Sequence, residues 1–404
     1  RFCGAPLRHT FVDLGLSPLA NSYRDGDQIR GPETFFPLHT FVCDQCFLVQ
    51  LPEVQSPEAI FREYAYFSSY SESWLRHAER YTDAMIERFG FDEDSSVVEV
   101  ASNDGYLLQY FARRGVPVLG IEPAENVAEA ARQLGIETVA EFFGTELARS
   151  LRQEGRRADL LLGNNVLAHT PYLNDFVAGL AILLADDGVV TLEFPHLARL
   201  IAENQFDTIY HEHFSYFSFG TVRQVLEHHG LTVFDVEELP THGGSLRVFA
   251  RHATDDSKPV GDRVGELLDR ETRLGLFDLA IYHDFAERVR ETKRGVLDFL
   301  IRERRAGRTV VGYGAPAKGN TLLNYCGVRT DLLDYTVDRS PHKQGLYLPG
   351  VHVPIHGPDK IRETRPDVVW ILPWNLADEI VEQMADVREW GGRFVVAIPE
   401  VREL

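Results

Sequence analysis

Short apolar runs, each followed by a turn and a helical pattern, recur along this chain. The clearest series has an apolar run at 96–101, a turn at 102–106, a helical pattern at 107–114 and a second apolar run at 118–121. Apolar runs of about four to eight residues bounded by turn residues are typical of buried strands, and helical spacing between them indicates βαβ units. The pattern therefore predicts an α/β domain built on a parallel sheet.

The same domain extends in both directions from this series. A helix is expected over 73–88, where Trp74, His77, Tyr81 and Met85 recur at helical spacing. Later strands are predicted at 158–162 and 188–194, helices at 173–184 and 219–229, and a closing antiparallel pair at 231–239 and 245–251. Together these elements predict one Rossmann-like domain.

A second βαβ series occupies the end of the chain. It begins with a strand at 308–312 and continues through the loop Gly-Tyr-Gly-Ala-Pro-Ala-Lys-Gly-Asn at 312–320 into a helix ending at Tyr325. Further strands are predicted at 334–337, 368–373 and 393–398. The preceding residues 252–305 are charged and amphipathic and predict one or two long helices. A glycine loop with Lys318 at a helix start predicts an anion site, either for a redox dinucleotide or for a nucleotide sugar.

Three of the four cysteines lie near the start of the chain, as Cys3 and the Cys43-Asp-Gln-Cys46 pair. In a cytosolic chain, Cys-x-x-Cys is more often part of a metal site than of a disulfide. Two such pairs roughly forty residues apart would form a closed, structural zinc site of four thiolates. The remaining cysteine, Cys326, is expected to be a buried core thiol.

The fourth zinc ligand has two candidate sources. The chain begins at Arg1 without an initiator Met, so we expect the missing ligand to be a cysteine just before this residue. A His such as His9 or His39 is the alternative, as is the absence of a metal. Short strands predicted at 11–16 and 35–42 make this region a small zinc-ribbon-like module.

The turn after the first central strand favours S-adenosylmethionine (SAM) over a dinucleotide. It has the sequence Glu-Val-Ala-Ser-Asn-Asp-Gly at 99–105 and lacks Gly-x-Gly-x-x-Gly, whereas an acid, Glu122, follows the second strand. The turn resembles the first motif of SAM methyltransferases, where it accommodates the amino-acid part of SAM and the later acid holds the ribose. The candidate cofactor residues are Glu99, Ala101, Asn103, Gly105, Glu122, Pro123, the adenine-edge residues Glu141, Phe142 and Phe143, and Asn164 and Asn165 after the next strand.

The stretch Tyr-His-Glu-His-Phe-Ser-Tyr-Phe-Ser at 210–218 is dense in reactive side chains, with two imidazoles, a carboxylate and two phenols. A base with a tunable pKa beside phenols that stabilise an oxyanion suits proton removal next to a carbonyl. Because the stretch follows a late strand, we expect it to form the acceptor pocket. A polar, aromatic surface loop is the alternative, and these residues alone do not choose between His211 and His213 as the base.

Other segments are predicted to face the substrate or the methyl donor. Residues 61–74 combine aromatics and serines, which is typical of a substrate-facing linker or of an aromatic hinge. His169 follows the strand at 158–162 and either faces the donor or is an inert residue at a helix start. The candidate substrate-binding residues in these and neighbouring segments are Tyr66, Ser68, Tyr70, His196, His242, Gly243 and Arg247.

Composition and net charge indicate which classes of binding partner are unfavourable for this chain. The chain of 404 residues is 44% hydrophobic and carries a formal net charge of −20 without a run of Lys or Arg, which argues against nucleic acid and anionic membranes. Its length suggests about two or three domains. No apolar run approaches the roughly 18 to 20 residues of a spanning helix, and no signal peptide is visible. We therefore expect a cytoplasmic protein, and three well-filled domains are consistent with a monomer.

The order of the motifs resembles one enzyme family. A Cys-x-x-Cys module, an aromatic-serine linker and a SAM domain with Asn-Asn-Val-Leu-Ala-His come first. Tyr-His-Glu-His-Phe, His-Gly-Gly-Ser-Leu-Arg and the final glycine-loop domain follow in that order. Over nearly the whole chain this resembles the dTDP-sugar C-methyltransferases, most closely the C-3 enzymes of tetronitrose and kijanose biosynthesis in antibiotic-producing actinomycetes. The missing first cysteine is the one departure.

The resemblance implies a reaction and roles for residues. A dTDP-3-amino-4-keto-2,3,6-trideoxyhexose loses its C-3 proton, and the enolate attacks the methyl group of SAM without a catalytic metal. By resemblance, His213 is the base and Tyr210 lies beside the reacting centre. Glu212 orients or polarises the reacting groups. Tyr64 and His169 would complete the pocket. The residues implied to hold the dTDP portion are Lys318, Gly319, Asn320, Asp338 and Asn375.

The prediction as a whole is an α/β protein of three parts. Residues 1–66 form a zinc-binding module, residues 67–252 a central Rossmann-like SAM methyltransferase domain, and residues 253–404 a second Rossmann-like α/β domain that contributes to nucleotide-sugar binding. The alternatives are SAM-dependent O- or N-methylation of a sugar or polyketide, and a nonenzymatic zinc-ribbon protein that binds nucleotides.

Overall fold

A computed structural model describes residues 1–58 and 68–404. Two of the predicted site residues, Tyr64 and Tyr66, lie outside the described residues. No helix of the described part is long and apolar enough to cross a membrane.

The described strands and helices are numbered in chain order. The strands are β1 His9–Ser17, β2 Phe36–Val42, β3 Val49–Gln50, β4 Val97–Val100, β5 Val118–Ile121, β6 Thr138–Val139, β7 Ala158–Asn164, β8 Leu184–Pro195, β9 Ser215–Tyr216, β10 Leu231–Leu239, β11 Ser245–His252, β12 Val310–Tyr313, β13 Thr336–Val337, β14 Ile355–His356, β15 Val368–Ile371, β16 Arg393–Val396 and β17 Arg402–Glu403. The helices are α1 Glu72–Phe89, α2 Leu108–Arg113, α3 Glu125–Gln133, α4 Thr145–Gln153, α5 Leu173–Leu183, α6 Leu197–Ala202, α7 Phe219–His228, α8 Asp262–Leu274, α9 Leu279–Arg305, α10 Ala317–Cys326, α11 Asp359–Thr364 and α12 Ala377–Gln383. Short 3₁₀ helices cover Gln28–Arg30, Ser68–Tyr70, Leu167–His169, Phe206–Thr208, Thr241–Gly243, Trp374–Leu376 and Ala385–Trp390.

Contacts divide the described chain into two compact units. The first unit contains Arg1–Pro6, Gln45–His196 and Phe214–Phe277. The second unit contains Leu7–Asp44, Leu197–His213 and Asp278–Leu404. Each unit therefore draws on several separate stretches of sequence, and each is described below by itself.

The first unit is built on a seven-stranded sheet with the order β10-β11-β8-β7-β4-β5-β6 among the described residues. The strands from β8 to β6 pair in parallel, whereas β11 runs antiparallel to both β8 and β10. The chain proceeds outward from β4 through β5 to β6 and then returns to β7 on the other side of β4. In open α/β sheets, ligands bind at the carboxyl ends of the strands beside such a switch in direction.

Helix α1 shows how local sequence builds this unit. Its N-cap, Ser71, accepts a hydrogen bond from the amide of Trp74 at 3.3 Å, and Gly90 ends the helix with a φ of 75°. The face that carries Ala78, Tyr81 and Met85 is buried in the core of the unit. The helix predicted from the spacing of Trp74, His77, Tyr81 and Met85 is confirmed, and it extends one residue further at each end.

The second unit is built on a six-stranded sheet with the order β14-β13-β12-β15-β16-β17 in the described part of the chain. All pairs are parallel except β16 with β17. Here the change of direction lies between β12 and β15, because β13 and β14 follow β12 on one side and β15 and β16 lie on the other. The unit also holds the antiparallel pair β1 and β2, whose Phe11 stacks on Phe285 of α9 at 4.5 Å between ring centroids.

The predicted fold class is confirmed, with local differences. Strand β8 begins at Leu184 instead of 188. The one or two long helices predicted for residues 252–305 are two, α8 and α9. The stretch at 210–218 is not a loop throughout, because Ser215–Tyr216 pairs with Val49–Gln50 and Phe214 and Phe217 are fully buried. Cys326 is buried, as predicted, and burial raises the pKa of its thiol to about 12.

Candidate functional site

The turn after β4 has three residues with positive φ angles, a backbone conformation that residues other than glycine rarely adopt. Ala101, Asn103 and Gly105 have φ angles of 58°, 49° and 76°, in the left-handed region that costs most non-glycine residues about 1 kcal/mol or more. A Cβ on Gly105 would lie 3.2 Å from the side chain of Ile136. Backbone strain of this kind is typical of sites where the main chain approaches a ligand, so the structure agrees with a ligand-binding turn here.

Glu122 connects this turn to the end of β5. Its two carboxylate oxygens accept hydrogen bonds from the amide of Asn103 at 3.1 Å and from the amide of Ala124 at 2.9 Å. Burial raises the pKa of this carboxyl, which is 5% exposed. Each oxygen accepts one described hydrogen bond and has a further lone pair, so the group is suited to accept the two hydroxyls of a ribose.

The predicted linker meets the same turn. The amide of Ser68 donates to the side-chain oxygen of Asn103 at 2.8 Å, and the amide of Ser69 donates to Asp104 at 3.2 Å. Tyr70 is 68% exposed. Ser69 and Asp104 were not identified from the sequence. Ser69 donates from its backbone amide, which every residue type except proline has, so neither residue type indicates this pair.

Two asparagines lie at the end of β7, beside the same switch in direction. Asn164 is buried and donates to the hydroxyl of Tyr106 at 3.5 Å, and Asn165, with a φ of 55°, donates from its side chain to Nε2 of His242 at 3.2 Å. The side-chain oxygen of each is buried and accepts no hydrogen bond from the described residues. Unsatisfied buried acceptors are costly without a ligand, so they fit the donors of a bound cofactor, such as the ammonium group of SAM.

The adenine-edge residues follow β6 at the margin of the sheet. Phe143 packs edge-on against Phe176 with 5.5 Å between ring centroids, Phe142 is 42% exposed, and Glu141 is exposed. An exposed aromatic ring after an edge strand is compatible with the predicted adenine contact. The role of all three residues remains a prediction, as does that of Glu99, a fully buried carboxyl on β4 whose pKa burial raises.

Trp74 on α1 adds an aromatic surface that the sequence suggested only as helix core. Its ring lies 4.9 Å from the ring of His77, 6.0 Å from that of Tyr106 and 5.1 Å from that of His242 between centroids. The half-buried indole therefore contacts the turn at Thr241–Gly243, where His242 has a φ of 53°. Gly243 lies in the same turn, with a φ of 86°.

Two predicted substrate-binding residues are engaged inside the first unit. The guanidinium of Arg247 binds Glu193 at 2.7 Å and Glu237 at 3.2 Å. The imidazole of His196 binds Glu271 at 2.7 Å and is 4% exposed. Both side chains have protein partners that account for their burial, and a substrate role for either stays a prediction.

His169 lies in the 3₁₀ helix that follows Asn165, and it is half-buried. The carbonyl of the preceding Ala168 accepts a hydrogen bond from the amide of Phe214 at 2.7 Å. Phe214 directly follows His213 in the sequence. Within the first unit, this hydrogen bond joins the segment after β7 to Phe214.

In the second unit, the ring of His213 is held in one tautomer. Its Nδ1 lies 2.9 Å from the carbonyl oxygen of Thr208, and because a carbonyl only accepts, Nδ1 carries the proton in the neutral ring. The lone pair of the neutral ring is then on Nε2. The ring of Tyr210 lies 4.0 Å from that of His213 between centroids, so a phenol and a base lie side by side.

His211 has a different environment. It is 2% exposed, its Nε2 donates to the carbonyl of Pro37 at 3.2 Å, and its ring meets Phe36 edge-on at 5.9 Å. Burial lowers the pKa of this imidazole. These contacts describe a neutral core residue, and they favour His213 over His211 as the reactive histidine.

Glu212 is buried and is oriented by a residue from the N-terminal region. Its carboxylate accepts a hydrogen bond from the side-chain amide of Asn21 at 2.7 Å. The neighbouring Tyr23 donates from its hydroxyl to the carbonyl of Ala315 in the glycine loop at 2.6 Å. Asn21 and Tyr23 were not identified from the sequence, because they lie far from their partners along the chain and in no recognisable motif.

The glycine loop of the second unit owes part of its composition to packing. Gly314 has a φ of 91°, and a Cβ there would lie 2.5 Å from Pro373. A Cβ on Gly319 would lie 3.0 Å from Leu372, and Asn320 is fully buried, with its side-chain oxygen accepting from Asn324 at 3.1 Å. These contacts explain the two glycines without a ligand. The side-chain nitrogen of Asn320 is buried and has no hydrogen-bond partner among the described residues, and the nucleotide role of Gly319 and Asn320 stays a prediction.

Asp338 occupies the position where a dinucleotide-binding fold places its ribose acid. Its carboxylate accepts from the amide of Ala315 at 2.8 Å and from the amide of Ser340 at 2.8 Å, and Lys343 lies 3.7 Å away. The acid thus fixes the glycine loop from the neighbouring strand end.

Lys318 and Asn375 meet at the switch in direction of the second sheet, as the resemblance implied for one site. The ammonium of Lys318 donates to the side-chain oxygen of Asn375 at 2.6 Å and lies 4.7 Å from the centre of the Trp374 ring. Trp374 in turn donates from its indole nitrogen to Asp207 at 2.8 Å. Trp374 and Asp207 were not identified from the sequence.

The thiols of Cys3, Cys43 and Cys46 form the predicted metal cluster. Their sulfur atoms all lie within 4.8 Å of one another, Cys43 and Cys46 are buried and Cys3 is exposed. Three converging thiols supply three of the four ligands of a structural zinc site of the four-Cys or three-Cys, one-His type. Among the described residues, neither His9 nor His39 belongs to this group.

Comparison with known families accounts for the chain in three segments. Residues 1–61 match the family model of a zinc binding domain, residues 74–236 that of a methyltransferase domain, and residues 240–399 that of a C-methyltransferase C-terminal domain. The first match and the thiol cluster together identify an N-terminal zinc-binding domain. The second match identifies the fold that carries the turn at Glu99–Gly105 as one that binds SAM.

Individual relatives extend this picture. The C-methyltransferase NovU of Streptomyces niveus is 38% identical over 405 aligned positions, which cover 100% of this chain and 96% of NovU. A ubiquinone biosynthesis O-methyltransferase of Bartonella quintana (strain Toulouse) is 26% identical over 99 residues, or 24% of this chain and 40% of that enzyme. Among solved structures, the SAM-bound magnesium protoporphyrin IX methyltransferase of Synechocystis PCC 6803 is 16% identical, covers 44% of this chain and 78% of its own, and gives a TM-score of 0.34.

The full-length match to NovU and the order of the three domains agree with the resemblance drawn from the motifs. This chain belongs to the family of SAM-dependent C-methyltransferases that includes NovU.

Proposed function

We propose that the protein methylates C-3 of a dTDP-linked 3-amino-4-keto-2,3,6-trideoxyhexose in the biosynthesis of an antibiotic deoxysugar. The hydrogen bond from Nδ1 of His213 to the carbonyl of Thr208 is the observation that carries the proposal. It leaves the basic lone pair of the neutral ring on Nε2, which is the form that a general base requires. Similarity to a C-methyltransferase over the full length supports carbon as the methylated atom.

The proposed reaction begins with removal of the C-3 proton by Nε2 of His213. The electron pair of the broken C–H bond becomes an enolate, with its charge on the 4-keto oxygen. Bound SAM would supply an electrophilic methyl group to the C-3 carbon of this enolate; as that carbon–carbon bond formed, the sulfur–methyl bond would break and its electron pair would stay on the sulfur of S-adenosylhomocysteine. His213 leaves this step protonated and passes its proton to solvent.

Tyr210 and Glu212 support this base. The Tyr210 ring lies against His213, so its hydroxyl is a candidate donor to the enolate oxygen. Glu212 is fixed by Asn21 and would orient or polarise the reacting groups. Tyr64 and His169 are proposed to complete the pocket.

The cofactor would be held by the turn at Glu99–Gly105 and by Glu122, with Asn164 and Asn165 offering their unsatisfied oxygens. Lys318 and Asn375, which contact each other, are the proposed contacts to the diphosphate of the nucleotide. Zinc is proposed only as a structural ion at Cys3, Cys43 and Cys46.

The test is solvent deuterium exchange at C-3 of the 4-keto sugar in the absence of SAM. With the wild-type protein, we expect the sugar to take up deuterium at C-3, and mass spectrometry measures this uptake. His213→Asn should slow this exchange by about 10²- to 10⁴-fold, the usual contribution of a positioned base. His39→Asn, which changes a histidine hydrogen-bonded to Thr10 in the same unit, should exchange at the wild-type rate.

Other outcomes would favour the rival functions. If the protein transfers methyl groups but the sugar gains no deuterium at C-3, O- or N-methylation would be indicated, because those acceptors need no acidified C–H bond. A His213→Asn variant that exchanges like the wild type would overturn the assignment of the base. Absence of calorimetric binding of S-adenosylhomocysteine would favour the nonenzymatic binding protein.

A further inference from the structure

The second unit contains a carboxylate, an indole and an ammonium group in sequence. Asp207 accepts a hydrogen bond from the indole nitrogen of Trp374 at 2.8 Å, and the ammonium of Lys318 lies 4.7 Å from the centre of the same ring. The three residues come from the 3₁₀ helix Phe206–Thr208, the 3₁₀ helix Trp374–Leu376 and the first turn of α10. No motif in the sequence connects them.

Asp207 is an unusual residue to bury. It is 0% exposed, and an isolated buried carboxylate is costly unless charge or hydrogen bonds compensate it. Burial raises its pKa to about 6, although Lys318 and the Trp374 N–H act in the opposite direction. The carboxyl is therefore mostly ionised near pH 7, and its negative charge on the indole N–H strengthens the attraction of the ring for a cation.

Lys318 is the cation that lies over the Trp374 ring. It is half-buried, and burial lowers its pKa while Asp207 raises it. Across the described residues its direct partners are the Asn375 amide and the Trp374 ring, and neither is charged. The ammonium thus contacts no carboxylate directly among the described residues, and it lies beside the switch between β12 and β15, where α/β sheets bind their ligands.

We propose that Asp207 is a positioning residue that, through Trp374, holds the Lys318 ammonium in place for the phosphate groups of the acceptor nucleotide. The inference rests on the proposed function, because it names the part of the nucleotide sugar that this cluster would recognise. Asp207 itself is buried behind the indole and does not touch the ligand. Trp374 connects Asp207 to Lys318, and the Lys318 ammonium would contact the phosphate groups.

A competing role for Asp207 can be separated by measurement. Its neighbour Thr208 supplies the carbonyl that fixes His213, so Asp207 could act on the base and not on Lys318. Loss of Lys318 placement should weaken nucleotide binding and raise KM with little change in kcat. Loss of His213 placement should instead lower the deuterium exchange rate at saturating sugar.

The experiment is calorimetric titration of the full-length protein with dTDP. Asp207→Asn preserves shape but removes the charge, and we expect it to raise the Kd for dTDP roughly tenfold, with exchange at saturating sugar unchanged. Lys318→Met should raise the Kd at least as much, and the double variant should bind no worse than Lys318→Met alone, because both changes remove one interaction. Trp374→Phe keeps an aromatic ring but loses the indole N–H that binds Asp207, so it should shift the Kd in the same direction. If Asp207→Asn does not fold, as judged by its melting curve, Trp374→Phe carries the test.

Trp390→Phe is the matched control, since it removes an indole hydrogen bond to the carbonyl of Pro366 in the same unit and should leave the Kd unchanged. Wild-type dTDP affinity in both Asp207→Asn and Trp374→Phe would overturn the inference while leaving the proposed function intact. Wild-type protein that binds no dTDP would overturn both. Reduced exchange at saturating sugar with unchanged dTDP affinity would assign Asp207 to His213 and overturn its role at Lys318.

Discussion

At the scale of single residues, two histidines that are neighbours in one motif have opposite environments. His211 is buried against Phe36 and donates to Pro37, whereas His213 is half-buried and donates to Thr208. The residue types suggested a base in this stretch but could not choose between the two positions. The choice depends on carbonyl groups that the motif does not contain, since Pro37 is 174 residues away from His211.

The contrast predicts different phenotypes for the two positions. His211→Gln should retain deuterium exchange at C-3, because the side chain does not act in the reaction. It should lower the free energy of unfolding by about 1–3 kcal/mol, the usual cost of disturbing a buried hydrogen bond. Urea denaturation and the exchange assay measure the two effects. Loss of exchange in a stable, folded His211→Gln protein would contradict the assignment.

At the scale of elements, Glu193 joins three parts of the first unit. The carboxylate on β8 binds His77 of α1 at 2.9 Å, Arg247 of β11 at 2.7 Å and the hydroxyl of Thr241 at 2.9 Å. The group is 0% exposed. Sequence periodicity predicted each element separately, but nothing in a period of two or 3.6 residues indicates which charged residues will meet across elements.

The electrostatics of Glu193 predict how stability depends on pH. Burial tends to raise its pKa, but His77 and Arg247 outweigh burial and lower the pKa to about 2. A lowered carboxyl pKa stabilises the folded protein above the unfolded value, and the contribution is lost as pH falls toward 2. The shift from the ordinary value of 4.5 corresponds to a contribution on the order of 3 kcal/mol.

Glu193→Gln should therefore lower the free energy of unfolding by about 3 kcal/mol near pH 7, with a difference from wild type that shrinks as pH falls from about 4.5 to 2. Denaturant titration at several pH values measures this. Glu237→Gln is the matched control, because Glu237 binds the same Arg247 at 3.2 Å but its side chain is 30% exposed, so its effect should be below about 1 kcal/mol. Equal losses in the two variants would contradict the account.

At the scale of the whole molecule, the zinc site can be tested by metal content. Purified protein should contain about one equivalent of zinc, because a closed thiolate site binds a single ion. Cys43→Ser should lose most of this zinc and lower the melting temperature, since binding of a structural metal contributes to folding. Elemental analysis and thermal unfolding are the measurements.

Cys326→Ser provides the control for this experiment. Cys326 is also a buried thiol, but among the described residues it does not belong to the group of converging thiols formed by Cys3, Cys43 and Cys46. Its zinc content should equal that of the wild type. A Cys43→Ser protein that keeps its full zinc content would contradict the assignment of the cluster.

The sequence by itself determined the two βαβ series, the paired thiols at Cys43 and Cys46, and the acidic turn at Glu99–Gly105. These features are local, because apolar spacing, turn residues and short motifs act within about ten residues of each other. Tertiary structure decided which side chains form the sites. Asn21 reaches Glu212 across 191 residues, and Trp374 reaches Asp207 across 167. Such partners are chosen by the packing of distant elements, and a hydrogen bond between them leaves no pattern in the chain.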